Sequence, residues 1–213
     1  MGQKIHPIGF RIGISAPWKA RWFADDKKYR ENLAEDLKIR DLLMKKLKPA
    51  GIANIEIERS INKLKIIIFV ARPGILIGRG GGGLTELKKY LMQNLKIKAE
   101  NALEIVPQDV GVADLSAYLV AQSVAETLAK RMPAQRIMNQ AIERVMRAGG
   151  KGVRVVLSGR IGGAEIARRE RKQKGAMPLH TLRQNIDFAS YPALTKSGYV
   201  GVKVWINKGE VEI

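Results

Sequence analysis

Apolar positions along the chain fall into runs whose spacing changes from one segment to the next. After Asp25, Leu33, Leu37, Leu42, Leu43 and Leu47 recur every three to five residues. That spacing predicts a helix, ended by Pro49 and Gly51, with Lys45, Lys46 and Lys48 set against its C-terminal dipole. Two strand patterns follow. Ile55 and Ile57 alternate with Glu56 and Glu58, Asn62-Lys63 turns the chain, and Leu64 to Ala71 is a more apolar return strand. Pro73 opens a short helix through Ile75-Leu76-Ile77, glycines dominate Gly78 to Gly83, and Leu84, Leu87, Leu91 and Leu95 mark a further helix. A strand from about Leu103 to Val106 closes this unit before Pro107. The order α-β-β-α-α-β makes a complete small α+β domain over residues 17–107.

The second half reads differently. Asp114 is placed to cap a helix running to about Arg131, with Leu115, Leu119, Val124 and Leu128 inward. Pro133 sits in the first turn of another helix, carrying Ile137, Ile142 and Val145 to a stop at Gly149-Gly150. Strands then occupy Val153 to Leu157, Asn185 to Ser190 and Val200 to Ile206, with a polar loop after the first. Residues 108–213 are thus a second α+β domain, two helices on a mainly antiparallel sheet. Residues 1–16 hold Gly2, Pro7, Gly9 and Gly13 among Lys4, His6 and Arg11, and are expected to form an extended basic arm.

Composition narrows the function. The 213 residues include 38 Lys plus Arg against 20 Asp plus Glu, a net charge of +18, while 46% hydrophobic residues suffice for a core. Such a surface attracts polyanions. There is no cysteine, which excludes disulfides, Cys-ligated zinc and a thiol nucleophile. The two histidines, His6 and His180, lie at opposite ends and argue against a metal centre or a His-based triad. The longest apolar run, Ile66 to Ala71, is far short of the roughly 18–20 residues of a membrane span. The first residues lack a secretory core, and His6 stands where myristoylation requires Ser or Thr. The expectation is a soluble intracellular protein with no cofactor, no membrane and no small-molecule substrate.

Ile77-Gly78-Arg79-Gly80-Gly81 lies between two helices. Glycine there permits positive φ and lets a sugar-phosphate backbone approach main-chain N–H groups, with Arg79 adding charge. This is the device of the Gly-x-x-Gly clamp in KH domains, and the flanking order is that of the type II form; a ligand-free hinge is the plainer alternative. Gly78-x-Gly80-x-x-Gly83 also fits a dinucleotide fingerprint, with Glu104 at the acidic position. Pro73 and Gly74 interrupt the strand that motif requires, and Leu84 stands where a Walker loop needs lysine. Arg168-Arg169-Glu170-Arg171-Lys172-Gln173-Lys174 holds five basic residues in seven, flanked by Arg160 and Arg183. Five independent phosphate contacts give a salt slope of about −3.5; a solvated loop is the alternative. Lys130, Arg131 and Arg136 flank the Pro133 junction, facing nucleic acid or covering a helix end. Trp18, Trp22 and Phe23 suit packing more than base stacking, and His180 with Asp187 has no nucleophile beside it.

Several segments together resemble a known family. They are Gly2-Gln3-Lys4-Ile5-His6-Pro7, Ala71-Arg72-Pro73-Gly74 leading into Ile77-Gly78, Ser158 to Arg168, Pro178 to Arg183, and Gly201 to Ile206. In order and over essentially the whole chain, they are similar to the bacterial form of universal small-subunit ribosomal protein number three. The resemblance implies a KH type II domain followed by a C-terminal α+β domain, bound in the head of the cytoplasmic ribosome's small subunit. It implies partners in rRNA, mRNA and neighbouring head proteins, a place lining the channel through which mRNA enters, and no enzymatic activity. On this resemblance Gly78, Arg79, Gly80 and Gly81 form the RNA-binding loop, and Lys130, Arg131 and Arg136 face mRNA. Gln3, Lys4, His6, Arg11, Arg160, Arg168, Arg169, Arg171, Lys172, Lys174 and Arg183 form the rRNA-facing basic surface. Three departures stand out. The loop carries one basic residue where relatives typically have two, and Gln135 and Asn139 stand where they often show Arg or Lys. The sequence also stops at Ile213 without a basic tail. A KH regulator acting off the ribosome and a nucleotide-dependent enzyme are the other classes.

Overall fold

The structure, a computed structural model, describes residues 4–60, 63–95 and 103–211, and divides into two compact units. One unit is Trp18–Gly111; the other joins Met1–Pro17 to Val112–Ile213.

In the first unit, β1 (Ala20–Arg21) precedes α1 (Asp26–Lys46), β2 (Ile52–Arg59) and β3 (Leu64–Val70). α2 (Pro73–Ile77), α3 (Gly82–Leu95) and β4 (Leu103–Asp109) complete it. The sheet order is β1-β2-β3-β4, with β2 and β3 antiparallel and both outer pairs parallel. Strict alternation buries Leu64, Ile66, Ile68 and Val70 against Leu87 and Leu91 of α3. The expected turn residue Asn62 lies outside the described residues. β4 runs through Pro107, because an edge strand tolerates the missing donor.

Two features depart from the apolar pattern. The segment after Trp18 forms the short β1 beside β2. The buried stripe of α1 is Asp36, Ile39 and Leu43, continued by Leu47 just past its end, whereas Leu33 and Leu37 are 42% and 58% exposed. Asp36 occupies a core position because it accepts hydrogen bonds from Trp22 Nε1 at 2.8 Å and Arg59 at 2.6 Å.

In the second unit, α4 (Ala117–Ala129) and α5 (Ala134–Arg147) precede β5 (Gly152–Gly159), β6 (Arg168–Gly175), β7 (Gln184–Thr195) and β8 (Gly198–Glu210). All pairs are antiparallel, in the order β6-β5-β8-β7. Val153, Val155, Leu157, Val202, Val204 and Ile206 form one core with the inward faces of α4 and α5. α4 turns Ala117, Val120, Ala121 and Val124 inward, leaving Leu119 half-buried. Asp114 sits in a preceding 3-10 turn, and the helix start is capped from β7, where Asp187 Oδ2 accepts from Ala117 N at 3.0 Å.

The N-terminal segment is no extended arm. It folds through a 3-10 turn at Gly9–Arg11 and belongs to the second unit. Arg11, expected on the RNA-facing surface, is 1% exposed. Its guanidinium donates to the carbonyls of Pro7, Leu179, Thr181 and Gln184 at 2.8–2.9 Å. Burial lowers its pKa from the usual value, and the four carbonyls hold the charge in place. Glycine density here signals turns rather than extension.

Candidate nucleic-acid interface

The glycine loop of the first unit joins α2 to α3. Gly78, Gly80 and Gly81 adopt φ of +67°, +61° and +77°, which side chains rarely tolerate. Their roles differ. A Cβ on Gly83 would meet the Leu76 carbonyl oxygen at 2.6 Å, so Gly83 lets the two helices close on each other. A Cβ on Gly80 or Gly81 would meet nothing within 4 Å. The outer loop is therefore bare backbone facing open space, able to accept a polyanion at close range. Gly83 was visible in the sequence only as part of a fingerprint, and its packing role needed the α2–α3 geometry.

The basic run 168–174 is a strand, not a loop. Among the described residues β6 pairs only with β5, and its charges keep that edge from recruiting another chain. Pleating divides them. Lys174, Lys172, Glu170 and Arg168 sit opposite Val153, Val155, Leu157 and Gly159 on the helix side, whereas Gln173, Arg171 and Arg169 sit opposite Arg154, Val156 and Ser158 on the outer side. The five cations therefore do not form one surface.

On the outer side, Arg154 Nε and Arg171 both donate to Gln173 Oε1, at 2.9 and 2.7 Å. Burial and the neighbouring Arg171 charge lower the Arg154 pKa, as expected for two guanidinia sharing a neutral acceptor. Neither forms an ion pair among the described residues. Arg154 lies 5.9 Å from the Trp205 ring centroid, Trp205 is 5.0 Å from Phe188, and Phe188 packs edge-on to His6 at 5.0 Å. Lys203 follows on the same face, opposite Val156. Arg154, Gln173, Lys203 and Trp205 were missed in the sequence. The alternations Val153-Arg154-Val155 and Val202-Lys203-Val204 are the signal that could have found them.

On the helix side, Gln135 Nε2 donates to Glu170 at 2.8 Å, and Lys172 Nζ donates to Asn139 Oδ1 at 2.7 Å. Lys130, Arg131 and Arg136 are exposed around the α4–α5 junction, and none forms an ion pair among the described residues. Arg160 Nε donates to the Ala164 carbonyl, Arg183 pairs loosely with Glu210 at 3.6 Å, and Lys4 is exposed. Gln3 lies outside the described residues. Asp187 caps α4 and meets Lys208 at 3.5 Å, so it is not poised beside His180 for acid–base work. No helix of the described residues is long and apolar enough to cross a membrane.

Residues 38–109 match the KH domain family, and residues 124–206 match the C-terminal domain of ribosomal protein S3. Small ribosomal subunit protein uS3 of Desulfitobacterium hafniense is 49% identical over 211 residues, covering 99% of this chain and 94% of the relative. The uS3 of Dehalococcoides mccartyi is 47% identical over 99% of this chain and 74% of its own length. That of Rippkaea orientalis is 46% identical, covering 99% and 87%. The chain belongs to the uS3 family.

Membership in the uS3 family makes the chain a structural RNA-binding component of the small subunit of the cytoplasmic ribosome, not an enzyme. The glycine loop thus belongs to a KH domain, and the dinucleotide reading falls away.

Proposed function

We propose that this uS3 member is held in the small-subunit head by rRNA on the outer sheet face of its second unit, with the KH glycine loop gripping RNA through bare backbone. Lys130, Arg131 and Arg136 line the channel through which mRNA enters. Neighbouring head proteins cover exposed apolar positions such as Phe23, which is 94% exposed. One observation carries the rRNA reading: Arg154 and Arg171 are fixed by a shared neutral Gln173, with no ion-pair partner among the described residues. Two oriented guanidinia lacking a carboxylate suit phosphate oxygens. The N-terminal His6 extends that face through Phe188, while Arg169 and Arg183 add charge around it. With Gln135 and Asn139 in place of the basic residues common among relatives, the mRNA-facing helix would open message structure less strongly.

Sedimentation combined with ultraviolet cross-linking tests this. The chain should remain with small subunits through moderate salt, with rRNA links near Arg154 and Arg171 and mRNA links near Arg131 and Arg136. A freely migrating pool, or links confined to proteins at these positions, would overturn it.

A further inference from the structure

A second, smaller feature of the C-terminal unit lies away from the sheet face. The α4–α5 junction, the loop after β5 and the β7–β8 hairpin enclose a cleft of about 400 Å³, within the size range of small-ligand sites. Met132, Pro133 and Ile161 contribute apolar surface, while Arg131, Arg160 and Lys196 contribute charge; no carboxylate among the described residues lines it. Lys196 comes from the two-residue hairpin turn, between paired Thr195 and Gly198. Arg160 is anchored by its Nε on the Ala164 carbonyl at 2.8 Å, which leaves its terminal nitrogens without a hydrogen-bond partner among the described residues. Gly163 allows the hairpin to approach: a Cβ there would lie 3.2 Å from Ser197 Oγ.

Arg131 is the unusual element. It is the only non-glycine residue with positive φ among those described, at +62°, just beyond the end of α4. Glycine is the residue usually favoured at such a helix end, and a side chain there is strained. An arginine retained in this conformation, lining a cleft with two further cations, signals a role for the side chain rather than the turn.

The geometry points to this cleft as a seat for one nucleotide of single-stranded RNA, its phosphate held by Arg131, Arg160 and Lys196 and its base laid on Met132, Pro133 and Ile161. The inference rests on the RNA-binding reading above and deepens it. Arg131 ceases to be one surface charge among several and becomes part of a formed site, completed by Lys196.

The test uses the full-length chain and a hexauridylate probe. Arg131→Gly and Lys196→Ala should each weaken binding about tenfold, as expected for one lost charge-assisted phosphate contact, and flatten the salt slope by about 0.7. Arg131→Gly should also leave the melting temperature unchanged or raise it by about 2–4 °C, because it relieves the backbone. Wild-type affinity in both variants, with the wild-type chain still binding the probe, would overturn the cleft and leave the broader reading intact. No binding by the wild-type chain would overturn both. Reconstituted small subunits carrying 4-thiouridine either in the message or in rRNA then identify the source by which strand cross-links at Met132 or Ile161. A link from neither would also count against the cleft.

Discussion

The two units carry the same number of lysines and arginines, 19 each, but 12 acidic residues in the KH unit and 8 in the other. The acids are also used differently. In the KH unit, Arg21 pairs with Glu56 and Glu58 at 3.0 Å, and Arg59 with Glu35 and Asp36 at 2.9 and 2.6 Å. In the C-terminal unit the ion pairs are looser, at 3.5–3.6 Å, and Arg154, Arg171, Arg131 and Arg136 have none among the described residues. Equal numbers of cations therefore do not mean equal attraction for RNA. The KH unit locks Arg21 and Arg59 into tight carboxylate pairs, and its glycine loop is bare backbone. The C-terminal unit instead orients Arg154 and Arg171 on neighbouring strands through a neutral glutamine, with no carboxylate among the described residues.

The comparison has an exception in Arg11, a cation of the C-terminal unit that serves the fold. Arg11→Ala should destabilise that unit by about 3–4 kcal/mol, since it strands four carbonyls that now accept charged hydrogen bonds. The salt slope of RNA binding should stay unchanged under conditions where the variant is folded. Urea unfolding measures the first and a salt titration the second; a loss below 1 kcal/mol would make Arg11 an ordinary surface charge. The glycines of the KH loop divide in a parallel way. Gly83→Ala should cost about 2 kcal/mol because its Cβ meets main-chain oxygen. Gly81→Ala should cost about 1 kcal/mol through its positive φ alone. Equal losses would mean that the α2–α3 contact is softer than its geometry.

The strand β6 sharpens the contrast within one element. Arg169→Glu with Arg171→Glu should flatten the salt slope by about 1.4, a relative loss of about sevenfold less between 50 and 200 mM salt. Arg168→Glu with Lys174→Glu, on the opposite side of the pleat, should do much less. If both pairs act alike, RNA follows the free strand edge rather than the sheet face.

Much of this fold was legible because its core obeys simple periods. Ile55 to Glu58 alternate, Ile66 to Ala71 form one apolar run, and Leu84 to Leu95 step by three and four, so the KH element order could be read directly. β6 could not, because Arg168 to Lys174 contains no apolar residue; main-chain pairing with β5 makes it a strand. Long-range polar contacts were equally hidden. Nothing local to Arg11 shows the carbonyls of Leu179 and Thr181, and nothing local to Asp114 shows that Asp187 does its capping work. The same limit applied to the proposed binding surface: local charge density drew attention to 168–174, whereas the oriented pair Arg154 and Arg171 is assembled across two strands.

The smallest effects concern α5, where two neutral residues face β6. Gln135 already donates to Glu170, so an arginine there would find a carboxylate waiting. Gln135→Arg should form an exposed pair worth about 0.2–1 kcal/mol and add almost nothing to the salt slope of RNA binding. Asn139 differs because its neighbour is a cation, Lys172, at 2.7 Å. Asn139→Arg removes the acceptor that holds Lys172 and sets two like charges side by side. Both side chains would then turn outward, adding about 0.7 to the slope and increasing strand separation by reconstituted subunits. Lys172 thus already supplies a positive charge beside position 139, from β6 rather than from α5. Equal gains from the two substitutions would show that Glu170 and Lys172 do not govern the charge this helix presents.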